Sequence, residues 1–184
     1  LLTELNNTVA HHGDGWVRLM YAYPTNFTDE MIDAIASLDH IAKYIDIPLQ
    51  HISDSMLRRM RRGRGGESTL DLLRKLRSTI SGLTLRTTFI TGLPGETEDD
   101  FKELCDVVEE IRFEKMGVFV FSPEEGTPAA DMEAQVPREV AEERQSRLMV
   151  LIIGGCELST EGWPMKKISL VDYKVYLLLK QKII

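Results

Sequence analysis

The sequence has little cysteine, no long apolar run and no methionine at its start. Its two cysteines, Cys105 and Cys156, are too far apart for a CxxC or CxxxCxxC ligand set, so no complete metal site is predicted. The longest apolar run, residues 148–153, has six residues, far below the ~18 that span a bilayer. We therefore expect a cytoplasmic protein without a membrane segment. The start at Leu1 carries no secretory signal and predicts a fragment.

The charge is acidic overall but unevenly distributed. A formal net charge of -7 argues against the whole chain being a polyanion binder. Five arginines nevertheless occur within seven residues, and this basic stretch consists of Arg58, Arg59, Arg61, Arg62 and Arg64. A solvated helix face is one interpretation of the basic stretch, and a contact with phosphate or ribosomal RNA is the other.

Short apolar strands alternate with amphipathic helices along residues 1–149. The pattern predicts strands at residues 17–21, 44–47, 83–91 and 115–121. Thr28 and Thr97 are predicted to cap two of the helices, and Pro137 to open the last one, which ends near Met149. Strands that are joined in series by helices predict a parallel sheet with right-handed crossovers. The expected fold is α/β, a partial parallel (β/α) barrel with too few units to close.

Polar side chains follow the second predicted strand at Gln50, His51 and Ser53. In βα barrels the loops after the strands line the mouth, so these three residues are predicted to face a ligand. An ordinary turn, in which Ser53 or Asp54 caps the next helix, is the alternative. His51 has no histidine or cysteine at ligand spacing, which favours hydrogen bonding or acid–base chemistry over metal binding.

The third predicted strand places a charge inside the barrel. Arg86 alternates onto the same side as Thr88 and Ile90, and an unpaired buried charge costs several kcal/mol. We therefore expect an anionic partner for Arg86, which would be a ligand carboxylate, Glu96 or an aspartate of the protein. In the alternative, Arg86 points outward between helices as a surface cation.

A glycine-containing loop, residues 92–96, connects the third strand to the next helix. Glycines there would let the backbone approach a ligand at a helix N-terminus. The loop lacks both the GxGxxG spacing and the GK[ST] ending, so a dinucleotide or Walker-type site fits poorly. A tight turn without a ligand is the alternative.

Four segments, in this order, resemble the radical SAM methylthiotransferases. They read Tyr21-Ala-Tyr-Pro24, Asp46-Ile-Pro-Leu-Gln-His-Ile-Ser-Asp54, Arg86-Thr-Thr-Phe-Ile-Thr-Gly-Leu-Pro-Gly-Glu-Thr97, and Phe121-Ser-Pro-Glu-Glu-Gly-Thr-Pro-Ala-Ala130. His51 after Pro-Leu-Gln, together with Glu124-Glu-Gly-Thr-Pro128, resembles the branch that modifies a ribosomal protein rather than tRNA. The resemblance covers about residues 1–149. The tail at residues 150–184 matches nothing recognisable, and a reading-frame change or a truncated gene would explain it.

The resemblance implies a radical SAM core of six βα units, of which this chain holds about four. It implies S-adenosylmethionine as cofactor, split reductively by a cysteine-bound iron–sulfur cluster, and a second cluster that supports sulfur insertion. The implied reaction methylthiolates the β-carbon of an aspartate in a small-subunit ribosomal protein. Because thiolates hold such clusters and the CxxxCxxC motif is absent, we expect the chain alone to be inactive.

The resemblance also implies which residues line the cofactor. Transferred onto the matching positions, they are Gln50, His51, Ser53, Arg86, Thr88, Glu96, Phe121 and Ser122. No catalytic residue is assigned. Two other functions stay open: a non-catalytic ribosome- or RNA-binding module that uses the basic stretch, and an inert product of a truncated gene.

Overall fold

A computed structural model describes residues 1–13, 15–63 and 65–156 of the chain. The helices in these residues are α1 (Leu2–His12), α2 (Asp29–Ser37), α3 (Asp54–Arg59), α4 (Gly66–Thr79), α5 (Glu98–Ile111) and α6 (Arg138–Cys156). The strands are β1 (Val17–Leu19), β2 (Ile41–Asp46), β3 (Thr84–Thr91) and β4 (Lys115–Val120). A short 3₁₀ helix, Pro24–Asn26, lies between β1 and α2.

The four strands form one parallel sheet in the order β1-β2-β3-β4. The register places Asp46 beside Arg86 and Arg86 beside Lys115, on three neighbouring strands. Because all strands run the same way, the loops that follow them meet at one edge of the sheet, called the mouth below. The predicted α/β fold with four βα units in series is confirmed.

The two faces of the sheet differ in burial. Leu85, Thr87 and Phe89 of β3 are fully buried under the helices, whereas Arg86 and Ile90 are only partly buried. The alternation predicted for the third strand is therefore confirmed. The face opposite the helices, called the interior face below, carries Arg18, Tyr44, Asp46, Arg86, Thr88, Ile90, Lys115, Gly117 and Phe119.

Helix α6 packs against β3, β4 and α5. Thr91 Oγ1 donates a hydrogen bond to the backbone oxygen of Ala141 at 2.9 Å, and Gln145 Nε2 donates one to the oxygen of Val118 at 2.7 Å. These bonds join the helix to the carboxyl halves of two strands. The helix runs past Met149 to Cys156, further than the sequence pattern indicated, and residues 157–184 of the predicted tail lie outside the described residues.

Two local features differ from the sequence pattern. Strand β2 begins at Ile41, three residues earlier than predicted. The sequence pattern missed this start because the charged Lys43 interrupts the apolar residues. Its ammonium group donates hydrogen bonds to the oxygens of Ile35 and Leu38 at 2.5 and 2.9 Å, at the end of α2. Helix α1 was not predicted. No helix in the described part of the chain is long and apolar enough to cross a membrane.

Candidate functional site

The loop after β2 is held against β3 in a strained conformation. Gln50 has φ 71°, a left-handed conformation that costs a non-glycine residue about 1 kcal/mol or more. Two backbone hydrogen bonds of 2.8 Å fix it, from Gln50 N to the oxygen of Thr88 and from Ile90 N to the oxygen of Gln50. Gln50 is therefore pinned, half-buried, at the mouth.

His51 belongs to the same loop, but its side chain points away from the solvent and lies near Leu57 of α3 and Thr69 of α4. Its ring is fully buried, its Nδ1 accepts a 3.0 Å hydrogen bond from the backbone of Ser53, and its Nε2 has no hydrogen-bond partner among the described residues. Burial lowers the pKa of His51 to about 4, against the opposing charge of Asp100, so the ring is neutral at pH 7. The small cleft beside His51 is lined by Tyr23, Pro24, Leu49, Leu57, Arg62 and Thr69.

Ser53 joins the loop after β2 to the start of α5. It stands at the N-cap position of α3, but its side chain makes no capping hydrogen bond. Its hydroxyl and that of Ser55 donate instead to Asp100 Oδ1, while Thr97 donates to Oδ2. Burial would raise the pKa of Asp100, but these hydrogen bonds outweigh it and hold the pKa well below its usual range. Asp100 thus fixes two mouth loops to each other.

Arg86 has the anionic partner that the sequence required, and the partner is an aspartate of the protein. Its Nη1 donates to Asp46 Oδ2 at 2.6 Å, with side-chain exposures of 17% for Arg86 and 0% for Asp46. Asp46 Oδ1 is buried and accepts no hydrogen bond from the described residues. Arg86 lies five residues before Thr91, about 16 Å along the strand, so it occupies the strand body rather than the mouth.

The loop at residues 92–96 is a packed turn. A Cβ on Gly92 would lie 2.2 Å from Cβ of Ala141, and one on Gly95 would lie 2.6 Å from Cζ of Arg59. Glu96 is 5% exposed, and its Oε2 accepts a hydrogen bond from the backbone of Gly92. Burial raises the pKa of Glu96, opposed by the Gly92 amide and by Arg144. The glycines therefore serve close packing, which favours the tight turn over ligand approach.

The far side of the mouth is apolar. Phe121 donates its backbone N–H to the oxygen of Thr91 at 2.8 Å and is half-buried, while Ser122 is exposed. Ile90 lies beside Phe119 in the sheet register, and both are half-buried. Together Ile90, Phe119 and Phe121 present an apolar wall near the strand ends.

The structure divides the eight predicted cofactor residues into three groups. Gln50, Phe121 and Ser122 lie at the mouth; Arg86 and Thr88 lie on the interior face; His51, Ser53 and Glu96 are buried within the packing of the loops. Sequence reasoning did not single out Asp46, Asp100 or Arg144, although Asp46 is the sole acid in the four strands.

The basic stretch lies beside the same loops. Arg58, Arg59 and Arg61 are exposed, and the guanidinium of Arg62 stacks over the Tyr23 ring at 5.4 Å. Arg64 lies outside the described residues.

No metal-binding group is formed by histidine, cysteine, aspartate and glutamate side chains in the described part of the chain. Cys105 is a half-buried thiol on α5, and burial raises its pKa. Iron–sulfur clusters are held by several thiolates. The residues that the structure describes therefore do not fit a cluster, and no step through one is assigned to them.

Comparison with protein families identifies the class. Residues 17–108, half of the chain, match the model of the radical SAM superfamily. The chain belongs to this superfamily. Among solved structures, coproporphyrinogen III oxidase (HemN) from Escherichia coli, a radical SAM enzyme, has the same fold, with a TM-score of 0.64 over 84% of this chain and 36% of that one, at 15% identity.

Curated relatives are more similar in sequence. The ribosomal protein uS12 methylthiotransferase RimO of Anaeromyxobacter sp. (strain K) is 55% identical over 139 residues, which are 76% of this chain and 30% of that protein. The protein of the same name from Opitutus terrae is 48% identical over 151 residues, 82% of this chain and 31% of that protein. The chain thus spans about a third of the length of the relatives it matches.

Proposed function

We propose that this chain is the carboxyl-side part of the barrel of a radical SAM methylthiotransferase. The substrate would be an aspartate of a small-subunit ribosomal protein, whose β-carbon exchanges a hydrogen for a methylthio group. The observation that carries the proposal is the 55% identity to a uS12 methylthiotransferase over 139 residues, 76% of this chain. The same similarity favours an enzyme part over a separate RNA-binding module.

The cofactor in this proposal is S-adenosylmethionine, which supplies the adenosyl radical and the methyl group when bound. The mouth offers surfaces that suit its adenosine part. The half-buried side chains of Ile90, Phe119 and Phe121 form an apolar wall for the base. Gln50, in the loop after β2, forms a parallel β-bridge with Phe89 beside this wall, and its side-chain amide can both donate and accept hydrogen bonds.

The strain at Gln50 supports a role in binding. Glycine would adopt φ 71° without strain, so a glutamine at this position lowers the free energy of unfolding relative to glycine. Such positions concentrate at sites where a side chain must be presented to a ligand. The remaining predicted residues act differently: His51, Ser53 and Glu96 keep the mouth loops in place by their buried hydrogen bonds.

The iron–sulfur clusters would be bound by polypeptide outside this chain, since the described residues offer no thiolate set. We further infer a cytoplasmic location, where ribosomal proteins are found. A contact of ribosomal RNA with Arg58, Arg59, Arg61, Arg62 and Arg64 stays a prediction. Salt-dependent ribosome association that is lost when these arginines are neutralised would support that contact.

Binding of 5'-methylthioadenosine to the 184-residue chain tests the adenosyl site without a cluster. Gln50→Gly should weaken this binding about tenfold while raising the free energy of unfolding, because it relieves strain and removes the amide. Gly82 has a similar φ of +68° in open space and lies in the loop before β3, at the edge of the sheet opposite the mouth, so Gly82→Gln serves as the control, with unchanged binding. A chain that does not bind the nucleoside, or a Gln50→Gly variant that binds it as well as the native chain, would contradict the proposal.

A chimera tests the reaction itself. The 139 matching residues of the Anaeromyxobacter protein are replaced by those of this chain, and purified uS12 is examined by mass spectrometry after the anaerobic reaction. We expect the added mass of one methylthio group on an aspartate. A folded, cluster-loaded chimera that leaves uS12 unmodified would refute the assignment.

A further inference from the structure

Four arginines of the basic stretch have no carboxylate partner. Arg58, Arg59, Arg61 and Arg62 form no ion pair among the described residues, although the chain has 29 acidic residues. Six arginines elsewhere in the described chain do form ion pairs, and these are Arg74, Arg77, Arg86, Arg138, Arg144 and Arg147. The basic stretch is thus a concentration of positive charge that this acidic chain does not neutralise itself.

The acids nearest to the stretch in sequence bind other groups. Asp54 lies four residues before Arg58, at the spacing of a helical ion pair, but its Oδ1 accepts a 2.6 Å hydrogen bond from the backbone of Gly66. Glu67 Oε1 lies 3.5 Å from Nη1 of Arg74. The positive charge of the basic stretch is therefore open to an external anion.

The basic stretch contacts two other loops of the mouth. A Cβ on Gly95, in the loop after β3, would lie 2.6 Å from Cζ of Arg59 and 2.9 Å from each Nη atom, so the guanidinium has its face against this glycine. The guanidinium of Arg62 lies over the ring of Tyr23, in the loop after β1. The arginines therefore lie along the rim of the mouth, from the loop after β1 to the loop after β3.

Arg59 is held in place while its donors stay open. One face of its guanidinium lies against Gly95, the residue is exposed, and the guanidinium donates no hydrogen bond to the described residues. The N–H edge of a guanidinium matches a pair of oxygens such as those of a phosphate group. The contact with Gly95 therefore orients Arg59 for an anion at the rim.

A chain of phosphates fits this rim better than one small anion does. Arg58 and Arg61 are exposed beside Arg59, and cations in a row can each meet a separate phosphate. Tyr23 is 36% exposed and adds an aromatic ring, which single-stranded nucleic-acid sites combine with cations. The net charge of -7 disfavours a polyanion on the rest of the surface, which confines it to the rim.

We propose that this rim binds single-stranded ribosomal RNA, so that the substrate is a ribosomal protein in its RNA-containing particle rather than the free protein. This inference rests on the proposed function and names the form of its substrate. Phosphates of the RNA around the protein contact Arg58, Arg59 and Arg61 while the aspartate enters the mouth.

RNA binding to the 184-residue chain tests the rim without any reaction. The probe is a single-stranded RNA of about 16 nucleotides, measured by fluorescence anisotropy at several salt concentrations. Arg58→Gln/Arg59→Gln/Arg61→Gln should weaken binding about tenfold or more and should reduce the slope of log affinity against log salt by about 2. Arg58→Gln/Arg61→Gln keeps the contact with Gly95 and should show about two thirds of that change in slope.

The matched control removes the same charge from surfaces away from the mouth. Lys75→Gln/Arg112→Gln/Lys115→Gln changes exposed residues in the second half of α4, at the end of α5 and at the start of β4. This variant has the same net charge as the triple rim variant and should bind RNA as the native chain does. Thermal unfolding of each variant confirms that it is folded.

The chimera described above tests the form of the substrate. Small ribosomal subunits should have a KM about tenfold below that of purified uS12, and the triple rim variant of the chimera should lose this difference. Equal KM values for the two substrates in the unaltered chimera would overturn the inference. A chimera that modifies neither substrate counts against the proposed function, and RNA binding to the chain then decides the rim contact by itself.

Three results of the binding measurement would also overturn the inference. They are undetectable binding of RNA to the native chain, an equal loss in the triple rim variant and its control, and native binding by both rim variants. Polyglutamate of the same charge serves as the competing polyanion. Binding of polyglutamate as tight as that of RNA would assign the rim to an acidic polypeptide instead and would refute the RNA contact.

Discussion

Arg144 of α6 contacts both the carboxylate and the backbone oxygen of Glu96. Its Nη1 lies 3.2 Å from Glu96 Oε1 and donates to the backbone oxygen of the same residue at 3.1 Å. Both side chains are almost completely buried, at 7% and 0% exposure. The last helix thereby holds the loop that begins at Gly92, which follows β3 at the mouth.

Breaking this pair should be costly. Arg144→Met leaves the Glu96 carboxylate buried without its partner and should lower the free energy of unfolding by roughly 3–5 kcal/mol. The double variant Glu96→Gln/Arg144→Met should recover most of the loss, because no buried charge remains. Urea denaturation of the three proteins measures both changes.

An exposed pair on the same helix provides the control. Arg138 and Glu142 form an ion pair with 81% and 51% exposure, so Arg138→Met should leave stability unchanged. Equal losses from Arg144→Met and Arg138→Met would mean that the buried pair does not hold the loop.

Gly92→Ala should destabilise the chain by two separate effects. The left-handed φ of +79° disfavours a side chain, and the added Cβ would lie 2.2 Å from that of Ala141. Overpacking of this kind costs about 1–3 kcal/mol in addition to the backbone strain. Gly126→Ala isolates the strain, since Gly126 has the same φ and nothing within 4 Å.

Adding Ala141→Gly to the Gly92→Ala variant should restore part of the lost free energy of unfolding, because it removes the methyl group that the new Cβ contacts. The gain is reduced by the ~1 kcal/mol by which glycine destabilises a helix. Thermal unfolding of the single and double variants measures the coupling. Additive losses at the two positions would show that the helix does not contact the loop as described.

Asp100→Asn tests the link between the loop after β2 and α5. An asparagine has one acceptor oxygen in place of two, so it cannot accept all the hydrogen bonds that Ser53, Ser55 and Thr97 donate to the carboxylate. We expect the free energy of unfolding to fall by roughly 1–3 kcal/mol at pH 7. Asp99→Asn removes a charge from the same helical turn and is the control, with little effect.

The contribution of Asp100 to the free energy of unfolding should decrease as the pH falls. Because the pKa of Asp100 is held below its unfolded value, its contribution is present above about pH 4 and is lost as the pH falls. The difference between the native chain and Asp100→Asn should therefore shrink in acid. A difference that is constant down to acid pH would argue against the charged hydrogen bonds.

His51 should make the chain less stable in mild acid. The unfolded chain takes up a proton near the ordinary histidine pKa of about 6.5, while burial keeps the pKa in the folded chain at about 4. Stability should therefore fall as the pH drops through this window, by roughly 3 kcal/mol at most.

His51→Asn keeps an acceptor for the Ser53 amide but does not titrate. Its unfolding free energy should change less between pH 7 and pH 4 than that of the native chain, in chemical denaturation experiments at both values. His11→Asn, on the exposed surface of α1, should retain the native dependence. The same slope for His51→Asn and the native chain would contradict a buried, neutral ring.

The sequence predicted the class of fold well because its signals are local. Alternating apolar residues, capping threonines and turn glycines act within a few residues, and Thr28 and Thr97 do cap α2 and α5. The partner of Arg86 could be named only as some anion, since Asp46 lies 40 residues away and meets it through the sheet register.

The sequence by itself determined four βα units, their parallel order and the polar residues near the strand ends. Only the tertiary structure decided which of those residues reach the mouth. The path of one loop turns His51 inward while Gln50 stays at the edge, and a helix 48 residues away buries Glu96. Burial and partnership depend on distant elements packing together, and no local pattern encodes that packing.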